Sequence, residues 1–172
     1  LREHLAPEAL LALYDEALQA HPDDEDLLYS RALYAVTIDR LDLLESDLRK
    51  ILAEDPDHVD ALNALGYTLA DQTDRFDEAL SYVERALKLK PEDPAVLDSM
   101  GWVLYRQGDL EKAADYLRRA LALSAQDDEI ASHLGEVLWI SGQYDDARSV
   151  WREALLHNPD SDKIRSVLER LQ

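Results

Sequence analysis

Apolar residues along the chain recur in steps of three and four, the spacing of helices with one buried face. Leu62, Leu65, Tyr67 and Leu69 form one such set, and Leu97, Met100, Val103 and Leu104 another. Gln107-Gly108-Asp109 and Ser141-Gly142-Gln143 interrupt the pattern and read as tight turns between two helices. Further on a proline follows, which cannot continue a helical ladder and pushes its predecessor out of the helical region. The pattern therefore predicts pairs of helices, each of about 13–15 residues, separated by loops.

The pairs repeat. His21-Pro22-Asp23, Asp55-Pro56-Asp57, Lys90-Pro91-Glu92 and Asn158-Pro159-Asp160 stand 34, 35 and 68 residues apart. Ala125 holds the place of the missing member. Gly66, Gly101 and Gly135 keep the same step, as do Ala79, Ala113 and Ala147, and Ala86, Ala120 and Ala154. A fixed period in three residue classes is the signature of a repeat array. The expected organisation is a half repeat at 1–24, a degenerate repeat at 25–58, repeats at 59–93, 94–127 and 128–161, and a last helix at 162–172. The half repeat carries one helix at about residues 7–20. Leu10, Leu11, Leu13, Tyr14, Ala17 and Leu18 go most of the way round it, as in a helix covered on two sides. The last helix puts Ile164, Val167, Leu168 and Leu171 on one face and Lys163, Arg165, Glu169 and Arg170 on the other, as a terminal cap should.

These features resemble the tetratricopeptide repeat family. In residues 94–127 the resemblance rests on Leu97, Met100-Gly101, Leu104, Ala113, Leu117 and Ala120. In 128–161 it rests on Ala131, Leu134-Gly135, Leu138, Ala147, Trp151, Ala154 and Pro159. In 59–93 it rests on Leu62, Leu65-Gly66, Leu69, Ala79, Val83, Ala86 and Pro91, with one extra residue in the turn at 72–75. Residues 25–58 depart from the pattern: Ala32 replaces glycine, Leu44 and Ile51 replace the alanines, and the turn has no glycine. Wider or irregular helix spacing is expected there. The resemblance implies an all-α, right-handed α-solenoid of stacked antiparallel helix pairs with a C-terminal capping helix.

Composition narrows the function. The net charge is −19, from 18 basic and 37 acidic residues, which opposes binding to nucleic acid or anionic lipid. Apolar residues make up 47%, enough to argue against disorder in spite of that charge. With no cysteine there is no disulfide, thiolate metal site or cysteine nucleophile. The longest apolar run, Ala9 to Tyr14, is far short of the ~18 residues of a membrane span. The chain starts at Leu1, so the expectation is a piece of a longer protein with more repeats upstream, and self-association through the first helix. No catalytic motif is present. His4, His21, His58, His133 and His157 are scattered, and no cofactor or metal is expected. Acidic runs such as Asp23-Asp24-Glu25-Asp26 and Asp127-Asp128-Glu129 lack a calcium loop and suit helix starts instead.

The resemblance also implies a binding surface on the first helix of each pair. Carried over position by position, it comprises Tyr29, Leu33, Asn63, Tyr67, Asp98, Trp102, Tyr105, Arg106, Ser132, Glu136 and Trp139. Tyr29, Tyr67, Trp102, Tyr105 and Trp139 make it an aromatic strip, of the kind that dominates binding hot spots. Chaperone-binding members clamp a terminal carboxylate with basic residues and asparagines. Here Asn63, Asp71, Asp98 and Ser132 stand there with Arg106 alone basic, so a mainly apolar or partly basic peptide is the better guest. Lys163 and Arg170 make one end locally basic. The expected function is a non-enzymatic scaffold or adaptor for a peptide or partner protein. The alternative is a substrate-presenting region of an enzyme whose catalytic domain lies elsewhere. Residues 64–71, 97–102 and 133–139 are similar to the C-terminal repeats of large bacterial tetratricopeptide proteins. Several of those are outer-membrane lipoproteins, and some are periplasmic adaptors for a processing protease. That likeness implies a periplasmic setting, with a cytoplasmic one left open.

Overall fold

The structure is a computed structural model and describes residues 7–171. Ten α-helices follow one another, with no strand among the described residues: α1 (Pro7–Ala20), α2 (Glu25–Val36), α3 (Leu41–Glu54), α4 (Val59–Gln72), α5 (Phe76–Leu89), α6 (Pro94–Arg106), α7 (Leu110–Leu123), α8 (Asp128–Ile140), α9 (Tyr144–His157) and α10 (Asp162–Leu171). No helix is long and apolar enough to cross a membrane among the described residues. The helices fall into two compact units, one ending at Leu65 and the other beginning at Gly66, with the boundary inside α4.

In the first unit Leu18, Leu28, Ala32, Ala35, Leu44, Leu48 and Ile51 form the core. Asp24 caps α2 by accepting the Leu27 amide, which satisfies one of the free donors of the first turn. Two polar features were not foreseen from the sequence. Arg31 grips Asp47 through both carboxylate oxygens, at 2.7 and 2.8 Å, and reaches Asp15 at 2.6 Å, so one guanidinium ties α1, α2 and α3. Its hydrogen bond to Asp47, a residue only 2% exposed, leads the effects that raise its pKa. His58 caps α4: its Nδ1 accepts the Ala61 amide at 3.0 Å while Nε2 faces Glu25 at 2.9 Å.

The turn after α2 explains how a repeat manages without its glycine. Gly108 and Gly142 hold the corresponding turns of the second unit at φ 88° and 79°. Asp39 takes that place at φ 56°, a left-handed conformation that a side chain disfavours by about 1–2 kcal/mol. Asp39→Gly is therefore expected to raise the thermal midpoint of the first unit, by roughly 0.5–1 kcal/mol of stability. An unchanged or lower midpoint in a melting curve would contradict this account of the turn.

The second unit stacks α5 to α10 on the end of α4. Asp93, Asp109 and Asp127 cap α6, α7 and α8 through their carboxylates, and the Ser161 hydroxyl accepts the Ile164 amide at the start of α10. So single aspartates within the acidic runs do the capping. Leu97, Ala120 and Ile130 meet in one apolar cluster with Leu87, Tyr116 and Leu121 around it, which joins α5 to α8. Each first-helix glycine lies under a second-helix side chain. A Cβ on Gly66 would sit 2.5 Å from Val83 Cγ2, and one on Gly101 would sit 2.6 Å from Leu117 Cγ. On Gly135 it would fall inside the Trp151 indole. Ile164 and Val167 of α10 are buried, so the last helix closes the apolar end of the unit.

Candidate functional site

In the first unit the residues singled out from the sequence are partly open. Tyr29 is half-buried on α2, its ring 6.2 Å from that of His58. Burial first, and then the Asp60 charge, raises its pKa. Leu33 is 44% exposed. Asn63 on α4 is half-buried, and its Oδ1 is enclosed with no hydrogen-bond partner among the described residues. A buried acceptor without a donor is costly, typically about 1–3 kcal/mol, so it calls for an explanation.

In the second unit the same repeat positions are packed more tightly. Trp102, Asp98, Ser132 and Glu136 are each under 9% exposed, and Tyr67, Tyr105, Arg106 and Trp139 are half-buried. The open aromatic strip expected from the sequence is therefore a covered layer at Trp102. Its indole stacks on the His133 ring, centroids 4.1 Å apart, and its N–H donates to Asp71 Oδ1 at 3.1 Å.

The polar members pair with one another from one first helix to the next. His133 Nδ1 lies 2.9 and 3.0 Å from the two oxygens of Asp98, and His133 Nε2 lies 3.4 Å from the Tyr67 hydroxyl. The Arg106 guanidinium donates to the Asp71 carbonyl at 2.6 Å. The Tyr105 hydroxyl donates to Glu136 at 3.0 Å, and Arg170 clamps both oxygens of Glu136 at 2.7 Å. Lys163 meets Glu129 at 3.0 Å, and the Ser132 hydroxyl reaches the Lys163 carbonyl at 3.4 Å. Lys163 and Arg170 are thus paired with acids of α8, and Arg165 with Asp160, so the cations of α10 leave no free basic end among the described residues, contrary to expectation. Trp139 sits apart from this ladder, edge-on to Tyr144 at 4.8 Å with the Arg148 guanidinium 5.2 Å from its centroid.

Burial dominates the electrostatics of the layer. It raises the Asp98 pKa, and the His133 charge only partly offsets it. Burial lowers the His133 pKa, but the Asp98 charge and hydrogen bond outweigh it, so the net shift is upward. Burial and the Glu136 charge push the Tyr105 hydroxyl up to about 12. Burial, helped by the Asp71 charge, raises Tyr67 as well. That direction is opposite to what an activated tyrosine nucleophile needs. Asp98, Glu136 and Trp102 were visible in the sequence as face positions. Their partners His133 and Arg170 were not assigned to them, although complementary residues recur 34 or 35 positions on.

Models of the tetratricopeptide repeat match residues 45–94, 69–128 and 104–171. The chain belongs to the tetratricopeptide repeat family. A TPR repeat-containing protein of Pseudomonas aeruginosa is 52% identical over 98 residues, 57% of this chain. The match spans only 17% of that relative's length. A thermophilic tetratricopeptide protein of Thermus thermophilus superposes with a TM-score of 0.83 at 26% identity, over 96% of this chain and 90% of its own. PilW, a type IV pilus biogenesis factor, gives 0.79 at 22% identity over 95% of this chain and 79% of its own, a likeness of fold. This fold is that of protein-interaction scaffolds, which are generally not enzymes.

Proposed function

We propose that this tetratricopeptide chain is a protein-binding module that holds an extended peptide or partner segment against its first helices. The observation that carries the reading is Asn63. Asn63, Asp98 and Ser132 share one repeat position. Asp98 is satisfied by His133 and Ser132 reaches the Lys163 carbonyl, whereas Asn63 Oδ1 has no donor among the described residues. A peptide backbone N–H supplies the missing donor once a covering side chain moves aside, and the exposed Leu33 and the half-buried Tyr29 of the same unit offer apolar contact. In the second unit Tyr105, Arg106 and Trp139 present edges to the same kind of guest, with the buried ladder behind them as support. A net charge of −19 favours a guest carrying lysine or arginine among apolar residues.

The reading extends to an adaptor in a bacterial cell envelope that serves a protease or an assembly machine. Its support is the likeness to the C-terminal repeats of large bacterial tetratricopeptide proteins, and the Pseudomonas aeruginosa relative adds a bacterial setting alone. The test uses Asn63→Leu against an array of apolar and lysine- or arginine-bearing peptides. Binding is expected to weaken about tenfold, the worth of one good hydrogen bond to an otherwise orphaned group. The melting midpoint is expected to hold or rise, since an unsatisfied acceptor is gone. Equal peptide binding by the variant and the parent would sink the proposal.

A further inference from the structure

We propose that Asp98 and His133 form a proton-operated latch that fastens α6 to α8, closed while the imidazole is protonated and loosened when it loses that proton. The geometry is that of a charged pair. Nδ1 faces both Asp98 oxygens, and the two side chains are only 9% and 10% exposed. Nε2 faces the Tyr67 hydroxyl, which can accept its proton, so both ring nitrogens have acceptors. The Trp102 face lies 4.1 Å from the ring, where a cation is favoured over a neutral imidazole.

The surroundings favour the proton too. On α8 itself Glu129 and Glu136 add negative charge, and Asp127 caps that helix beside Asp98. From α4 come Tyr67 and Asp71, the latter held by Trp102 and Arg106 of α6. From α10, Lys163 and Arg170 oppose the proton, but each is paired to Glu129 or Glu136.

The sign follows from linkage. A histidine pKa raised above 6.5 in the folded unit contributes stability that is complete below that value. That contribution is lost as pH rises through the folded value. The raised pKa of Asp98 acts in the same direction from 3.8 upward. Across both windows the native unit binds more protons than the unfolded chain, so rising pH loosens it. Each pH unit between 6.5 and the folded histidine value multiplies the opening equilibrium by about ten.

The test is an NMR titration of the whole chain from pH 5 to 9 without any ligand. The His133 ring carbons should titrate with a midpoint above 6.5, and one indole N–H resonance, that of Trp102, should move with the same midpoint. Exchange of α8 amides, corrected for its intrinsic pH dependence, should quicken through that range. In His133→Gln the indole titration should vanish and the corrected exchange should become flat. A His133 midpoint below 6.5, or an indole resonance that ignores pH, overturns the latch. The ring titration of the unmodified chain decides the matter if the variant does not fold. Because no peptide is involved, failure here leaves the peptide-binding reading standing, and failure there leaves the latch standing.

Discussion

Gly135→Ala is expected to cost the second unit about 2–3 kcal/mol and to lower its melting midpoint by roughly 5–10 °C. Alanine is the better helix former, by about 1 kcal/mol, so propensity alone predicts the opposite sign. Packing wins because the new methyl group would occupy the Trp151 indole, a rigid ring 2% exposed. The ring must leave its slot, and it holds contacts on the other side, its centroid 5.8 Å from that of Trp139. Gly66 and Gly101 are opposed by Val83 and Leu117 and by the Ala79 and Ala113 carbonyls, at 2.5–3.1 Å, whereas at Gly135 the nearest atoms all belong to the one ring, down to 2.0 Å. The chain itself suggests a rescue. In the first unit Ala32 and Leu48, both fully buried, occupy the two corresponding repeat positions. Gly135→Ala combined with Trp151→Leu recreates that pair and is expected to recover part of the loss. Thermal melts followed by circular dichroism decide it. An increase in stability for Gly135→Ala alone would show that the close approach of α8 and α9 is not what the glycine serves.

The same pair of positions shows why so much of the fold was legible. Repeat periodicity assigns a residue to a face, and apolar size complementarity follows from it: glycine and alanine recur where helices approach. Aspartates just ahead of an apolar run mark caps because free amides need acceptors whatever the tertiary context. Polar pairing does not follow from the face alone. Asp98, Glu136 and Trp102 carry the repeat positions of a ligand surface, yet each is occupied by a neighbour of the right chemistry. Whether such a position is open depends on the residue one repeat further on. That residue is Arg170 for Glu136 and His133 for Asp98, and no single-repeat rule reads both. Arg31 left a fainter trace, standing where the other repeats have Leu65, Met100 and Leu134, so its ion pairs with Asp47 and Asp15 fill a place that is apolar elsewhere.

Asp98→Ala is expected to be the most damaging of the polar substitutions, at about 3–5 kcal/mol. The side chain is 9% exposed and its partner is nearly as deep, so truncation leaves a buried imidazole facing a void. The charged ring loses its counter-ion while Tyr67 and Trp102 still enclose it. Removing both partners is a different matter. An ion pair replaced by apolar groups of similar volume is often neutral, because the desolvation of two charges disappears together with their attraction. Asp98→Leu with His133→Leu is thus expected to be more stable than Asp98→Ala alone, with a coupling energy of about 1–3 kcal/mol in the double-mutant cycle. The cycle should be run in denaturant at pH 6 and again at pH 8.5. Coupling should be larger at pH 6, where the imidazole carries its proton, and smaller at pH 8.5. Additive effects at both values would mean that the two side chains merely fill space, and that α6 and α8 are held by their apolar faces.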